Sequence, residues 1–174
     1  MSLTLYEECK EVLNELIKNP TRSLQLIAKE INSYRQKVWR QKTKLEEDKV
    51  VWGYTAVVDE TKLGNLSYVM LIKFMPLDNK MVDLIMKRTN IYKPNNFDNN
   101  IRILYSVYIN GDYDWIIVFT ASNHESARRY YNEIYSDYKD WIVDRPKVMD
   151  VNYFLIKEGK INPDRSKLTE YVPL

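Results

Sequence analysis

Asn32 to Glu47 reads N-S-Y-R-Q-K-V-W-R-Q-K-T-K-L-E-E. Between Tyr34 and Lys44 it carries Arg35, Lys37, Arg40, Lys42 and Lys44 and no acidic residue, although the whole chain has a formal charge of only +2. The positive charge is local. On a helix of about 100° per residue, Tyr34, Val38 and Leu45 fall on one side and Gln36, Trp39, Arg40 and Thr43 on the other. One face can bury itself while the other is held out. Arginine and glutamine make bidentate contacts to base edges and lysines neutralise phosphates, so this projecting face suits a duplex groove. A basic run also serves as a plain solvated helix face, and the stretch alone leaves both readings open.

Upstream, Leu5, Cys9, Val12, Leu13 and Leu16 keep helical spacing and predict a first helix from Thr4 to Lys18, stopped by Asn19-Pro20. Ser23 is an N-cap for a short second helix, Leu24 to Ile31, with Leu24, Ile27, Ala28 and Ile31 inward. Asn32 stands where the chain must turn sharply, and asparagine tolerates the left-handed conformation better than any residue except glycine. Three short helices with a tight turn before the last form a helix-turn-helix. After Asp48, the segment Val50 to Val58 changes to strand chemistry and reads as a wing or a linking strand.

With 174 residues, 45% of them hydrophobic, and only 4 Gly and 6 Pro, the chain is a folded protein of one ordinary domain or two small ones. The opening MSLTLYEECKE lacks the character of a signal peptide and no apolar run is long enough to span a membrane, which predicts a soluble cytoplasmic protein. Cys9 is the only cysteine and His124 the only histidine. That excludes a disulfide framework, a structural zinc site and a Cys/His catalytic pair within one chain, and no cofactor or metal is expected. Cys9, on an apolar stripe, is expected to act as a small buried hydrophobe.

From Leu66 onward the order is strand (Leu66 to Phe74), helix (Asn79 to Thr89, with Val82, Ile85 and Met86 inward), strand (Arg102 to Ile109), strand (Asp114 to Ala121), helix (His124 to Tyr138, with Ala127, Tyr131, Ile134 and Tyr138 inward) and strand (Lys147 to Lys157). Asn110-Gly111 marks the hairpin between the middle strands. Tyr92 to Asn100 is a long polar loop, and the polar tail from Glu158 is expected to be mobile or to pack on a partner. The order is that of an α+β, ferredoxin-like βαββαβ unit, a four-stranded antiparallel sheet with two helices on one face. Val69, Leu71, the run Trp115 to Phe119, Val151, Tyr153 and Leu155 make both sheet faces apolar, so the helix-free face calls for a partner, most simply a second copy. Ile117 and Val118 point to opposite faces, and the pattern leaves open which of them meets the partner.

Ile27-Ala28-Lys29-Glu30-Ile31, Val38, Arg40, Leu45-Glu46-Glu47, Val50-Val51, Gly53-Tyr54-Thr55-Ala56, Asp59, Lys62-Leu63-Gly64 and Gly111-Asp112-Tyr113-Asp114 follow one another in an order that resembles the Lrp/AsnC (feast/famine) transcription regulators. The resemblance covers nearly the whole chain. It implies a winged helix-turn-helix DNA-binding domain at residues 1–53, a linker strand or hinge at 54–65, a ferredoxin-like effector-binding and dimerisation domain at 66–157 and a C-terminal tail at 158–174. Glycine is usual in that family before the recognition helix and before the Val-Val pair, where Asn32 and Lys49 stand; asparagine can hold the turn, whereas lysine is expected to need a slightly different backbone. Lys42 takes the place of an aliphatic residue, its stem packing while its amine snorkels toward phosphate.

The function expected is a sequence-specific transcriptional regulator answering to a small effector, an amino acid or a relative. Lys37, Lys42 and Lys44 are assigned to phosphates, and Arg35, Gln36, Trp39 and Arg40, with Thr43 on the same face, to base reading. Trp39 has a second reading as a core residue packed against the wing. Asp112 and backbone amides at Gly111 offer an acceptor and donors for a zwitterion, or the loop is simply a turn with Asp114 as its cap. By resemblance alone this loop lines the effector pocket, Asn152 makes a polar ligand contact, and the homodimer that the sheet pattern calls for assembles further, typically as four dimers. The rival is a ferredoxin-like dimeric enzyme or metabolite-binding protein with Asp112 and Asp114 as a general base or metal pair, a reading that leaves the acid-free basic helix without a purpose.

Overall fold

The computed structural model describes residues 3–91 and 100–171, with side chains at 6–90 and 100–171. The chain divides into two compact units, Met1–Ala56 and Val57–Leu174.

The first unit is α1 (Leu3–Lys18), α2 (Leu24–Glu30) and α3 (Arg35–Glu47). Their apolar stripes meet in one core of Cys9, Val12, Leu16, Ile27, Ala28, Val38 and Leu45, rimmed by Leu13, Leu24, Ile31, Val50 and Val51. Leu5 lies outside the described side chains. Burial pushes the Cys9 thiol pKa up, as befits a small hydrophobe. Ser23 caps α2 by accepting the Leu26 N–H at 3.3 Å. The buried Glu15 carboxylate accepts from Lys18 at 2.6 Å and Arg22 at 2.5 Å, and Arg22 also reaches Glu30 at 3.3 Å, so one guanidinium ties α1 to α2.

Both α2 and α3 end in the same left-handed motif. After α2, Asn32 has φ 49°, with Ser33 N–H to Ala28 C=O at 2.8 Å and Asn32 N–H to Lys29 C=O at 3.4 Å. After α3, Lys49 has φ 56°, with Val50 N–H to Leu45 C=O at 2.9 Å and Lys49 N–H to Glu46 C=O at 3.1 Å. The backbone expected to shift at Lys49 therefore does not; the lysine adopts the conformation that glycine favours. Tyr34, expected on the buried side, is instead the N-cap of α3 and is 61% exposed. Val50 to Val58, read from sequence as a wing or linking strand, forms no ladder among the described residues; its first two amides, Val50 and Val51, bond Leu45 C=O at 2.9 and 3.0 Å and close the turn after α3 instead. Val50 and Val51 pack on the core, whereas Trp52 is 94% exposed.

The second unit is β1 (Leu66–Ile72), α4 (Asn79–Ile91), β2 (Ile101–Tyr108), β3 (Trp115–Ala121), α5 (His124–Tyr138), β4 (Lys147–Asp150) and a small hairpin, β5 (Ile156–Lys157) with β6 (Lys160–Ile161). The first four strands form an antiparallel sheet in the order β2-β3-β1-β4, the ferredoxin-like arrangement. Tyr68, Met70 and Ile72 of β1 and Trp115, Ile117 and Phe119 of β3 pack with Met81 of α4 and Ala127, Tyr130, Ile134 and Tyr138 of α5. On α4 the inward stripe is Met81, Leu84 and Ile85, and Val82 and Met86 are exposed, against expectation. The buried Met81 orients the helix, and two turns on Arg88 pairs with Glu133 at 2.8 Å and with Asp137 of α5 in the same orientation. On α5 it is Tyr130 that enters the core, with Tyr131 at its rim.

The period-two pattern puts Val69, Leu71, Ile116 and Val118 on the opposite, helix-free face, in register with Tyr105, Val107 and Met149. The buried Ile117 belongs to the helix side. A register shift between Ile103 and Tyr105 leaves Leu104 as a bulge.

The final strand is shorter than the segment Lys147 to Lys157: after Val151 N–H bonds Ser67 C=O at 2.8 Å the chain leaves the sheet. The tail then folds back onto its own unit, which replaces the expectation of a mobile or partner-bound segment. Glu158 and Gly159, with φ 49° and 70°, close the β5–β6 hairpin. Tyr153 stacks on Tyr171 at 5.3 Å, and Asp164 pairs with Lys62 at 2.7 Å. Beneath lies Glu60, only 3% exposed, which accepts from Arg102, from Lys157 at 2.9 Å and from Asn65 at 3.3 Å. Most of the polar loop expected at Tyr92 to Asn100 lies outside the described residues.

A non-glycine residue held left-handed costs roughly 1–2 kcal/mol, against the 0.5–1 kcal/mol by which glycine raises the entropy of the unfolded chain. Lys49→Gly is therefore expected to stabilise the protein by about 0.5–1 kcal/mol, read as a higher denaturation midpoint at unchanged slope. A lower midpoint would mean that the lysine side chain holds the turn by some other contact.

Candidate nucleic-acid interface and hairpin pocket

Val38 and Leu45 are fully buried under α1 and α2, and this fixes the rotation of α3. What remains outside is Arg35, Gln36, Lys37, Trp39, Arg40 and Lys44, with Thr43 half-buried at the edge. Arg35, Gln36 and Trp39 line a shallow groove of about 460 Å³. Trp39 is 54% exposed, which rules out the core reading of this residue within the unit.

The cations divide into two sets. Lys42 donates to Glu46 at 2.6 Å and lies 5.2 Å over the ring of Tyr54, whose hydroxyl also donates to Glu46 at 3.0 Å. The Glu46 bond holds the Lys42 pKa above and, with Tyr54, the Glu46 pKa below their usual ranges. Lys44 donates to Glu8 of α1 at 3.0 Å, where Gln41 also anchors by donating to the Glu8 backbone carbonyl. Arg35, Lys37 and Arg40 make no ion pair among the described residues. Of the three lysines assigned to phosphates, Lys37 is thus the one without a carboxylate partner among the described residues.

The second unit presents the β2–β3 hairpin. Its six-residue connection is closed by Ile109 N–H to Asp114 C=O at 2.9 Å, and Gly111 does not use a left-handed backbone. Asp114 is a structural residue: its carboxylate accepts the Phe74 N–H at 2.8 Å and its own N–H bonds Ile72 C=O at 2.9 Å. On the other side of the same corner, Val143 N–H bonds Lys73 C=O at 3.0 Å. These bonds bring the hairpin, the end of β1 and the start of β4 together around a cavity of about 250 Å³ lined by Leu71, Lys73, Asp112, Tyr113, Asp144, Arg145 and Lys147.

No protein-family model matches the sequence. An uncharacterised helix-turn-helix-type transcriptional regulator of Pyrococcus abyssi (strain GE5 / Orsay) is 26% identical over 128 residues, 73% of this chain and 80% of that protein. The crystal structure of an AsnC family transcriptional regulator from Agrobacterium tumefaciens superposes with a TM-score of 0.65 at 15% identity, over 90% of this chain and 96% of the other. This chain has the Lrp/AsnC fold. A transcriptional regulator of Neisseria meningitidis, solved as a complex with L-Met, matches it with a TM-score of 0.65 at 10% identity, over 86% of this chain and 91% of that one.

Within the Lrp/AsnC fold the expected effector residues do not all converge. Asp112 enters the cavity and Tyr113 joins it, whereas Gly111 is not part of its lining. Asn152 follows the far end of β4, five residues or roughly 16 Å of extended chain from Lys147. Lys73, Asp144, Arg145 and Lys147 were not singled out from sequence. Nothing in the local sequence groups them, since Lys73 stands between Ile72 and Phe74 while Asp144, Arg145 and Lys147 flank Pro146, and only the pairing of β1 with β3 and β4 assembles them. Among the described residues no helix is long and apolar enough to cross a membrane.

Proposed function

We propose that this protein is a sequence-specific DNA-binding transcription regulator whose C-terminal unit pairs with a second copy and takes an amino acid as effector. The observation that carries this reading is the outward face of α3, where Arg35, Gln36, Trp39 and Arg40 stand together, without an ion pair among the described residues, on a helix whose other side is locked into a three-helix core. Such a helix, after the tight turn at Asn32, can enter a major groove, with base edges read by Arg35, Gln36 and Arg40 and apolar contact from Trp39. Lys37 neutralises phosphate directly. Lys42 and Lys44 reach phosphate only by releasing Glu46 and Glu8, exchanging one carboxylate contact for another anion.

The second copy is inferred from the helix-free sheet face, where Val69, Leu71, Ile116 and Val118 lie side by side with no helix over them. An amino-acid effector is inferred from Asp112 at the cavity mouth, a carboxylate able to accept an ammonium group, and is in keeping with the L-Met complex of the Neisseria regulator.

Gln36→Ala and Arg40→Ala are each expected to cost about 1–3 kcal/mol on the best operator and to relax its sequence preference, whereas Lys37→Ala weakens all duplexes alike and lowers the salt slope by about 1. Equal losses on operator and random duplex for all three changes would remove the base-reading assignment. Light scattering checks the sheet face: Val118→Asp should give a folded monomer, and Ile117→Asp, which puts a charge into the helix-side core, an unfolded chain. A wild type already monomeric at micromolar concentration refutes the pairing. A thermal-shift screen checks the effector, because a ligand at one hundred times its dissociation constant adds about 2.7 kcal/mol. At least one amino acid should raise the wild-type midpoint, and Asp112→Ala should abolish that shift while leaving the unliganded midpoint within a few degrees; no hit, or an unchanged one, rejects this pocket.

A further inference from the structure

The cavity beside the hairpin carries more positive charge than a neutral amino acid can satisfy. Its lining holds three cations, Lys73, Arg145 and Lys147, and two anions, Asp112 and Asp144, and none of the five is ion-paired to another or to any described side chain. Lys147 instead lies 5.6 Å over the ring of Tyr113, and the one aliphatic wall is Leu71. A zwitterion uses one carboxylate, for its ammonium group, and one cation, for its α-carboxylate. Even with Lys147 held against Tyr113 and Asp144 facing one cation, at least one basic side chain then still lacks a partner among the described residues, and the lining keeps its net charge of +1.

We propose that the effector is an amino acid with a second carboxylate, of the aspartate or glutamate class. This rests on the amino-acid reading above and names its chemistry. Asp112 accepts the ammonium group, Arg145 forks one carboxylate, and Lys73 and Lys147 take the other. A ligand of net charge −1 neutralises the lining, and a volume of about 250 Å³ admits a molecule of this size but not a nucleotide. The frame is suited to selection because its backbone is pinned: Lys73 is held through its carbonyl by Val143 N–H, and Lys147 is paired with Leu71 in the β1–β4 ladder. The buried Pro146 holds the chain between Arg145 and Lys147.

The test compares each acid with its amide, which has nearly the same shape and no charge. Titration calorimetry on the full chain with L-glutamate, L-glutamine, L-aspartate and L-asparagine should show one acid binding roughly ten- to hundredfold more tightly than its amide, the range for a hydrogen-bonded charge. Arg145→Gln, Lys73→Gln and Lys147→Gln should each reduce that ratio. Asp112→Asn should weaken the acid while leaving glutarate, a dicarboxylate without an ammonium group, bound at least as tightly as before. Each variant is checked for an unliganded melting point within a few degrees of wild type. An amide that binds as well as its acid, an aliphatic amino acid that binds better than either, or a ratio untouched by all three cation replacements overturns the proposal while leaving the amino-acid reading in place. Failure of every amino acid to bind overturns both.

Discussion

An amphipathic element can hide only one of its faces, and both surfaces proposed to meet partners in this protein are the faces left over. In α3 the buried pair is Val38 and Leu45, and three helices are just enough to cover it. The remaining arc must meet water or a ligand, and it carries Arg35, Gln36, Trp39 and Arg40. In the second unit α4 and α5 cover Met70, Ile72, Ile117 and Phe119, so the alternating residues Val69, Leu71, Ile116 and Val118 are left without a helix. Burial decides presentation in both units, and chemistry follows from which residue types stand on the uncovered side.

Backbone geometry then sets how firmly those faces are held. Asn32 and Lys49 bracket α3 with the same left-handed turn, so the chain enters and leaves the basic helix through main-chain hydrogen bonds, and Gln41 and Lys44 add side-chain bonds to Glu8 of α1. Arg22 adds a polar clamp between α1 and α2 through the buried Glu15. A reading helix gains from such rigidity, because a bidentate contact to a base edge tolerates little displacement.

In the second unit two carboxylates do structural duty at opposite ends of the sheet. Asp114 accepts the Phe74 amide and locks the hairpin to the end of β1, which is why the neighbouring Asp112 can face a cavity instead of folding back onto the turn. Glu60 is buried against Arg102 and Lys157, with Lys157 also donating to Val58 C=O at 3.1 Å, so the first residues of the unit, the edge strand and the tail are tied at one point. Burial, with Arg102 beside it, holds the Lys157 ammonium pKa below its usual range. Removing either partner would leave a desolvated charge, which makes the tail part of the unit.

The α+β architecture, the helix-turn-helix and most of the outward set on α3 were legible from spacing within single segments, Val38 and Leu45 seven apart, Val69 and Leu71 two apart and Ser23 ahead of an apolar helix, and the four-stranded sheet from the order of those segments; Tyr34 and Thr43 were not, because they sit at the edge of the buried arc. Tertiary structure decided what depends on partners distant in the chain. Which of Ile117 and Val118 is buried turned on where α5 lies, since a period of two is the same seen from either face. The tail could not be placed from its polar composition, because its order comes from Glu60, Lys62 and Arg102, roughly 50 to 100 positions away along the chain. Lys73, Arg145 and Lys147 became a charged cavity only when antiparallel pairing set the end of β1 beside the start of β4. Local periodicity is written into each segment by covalent order, whereas a site assembled across strands exists only once the ladder has set its register.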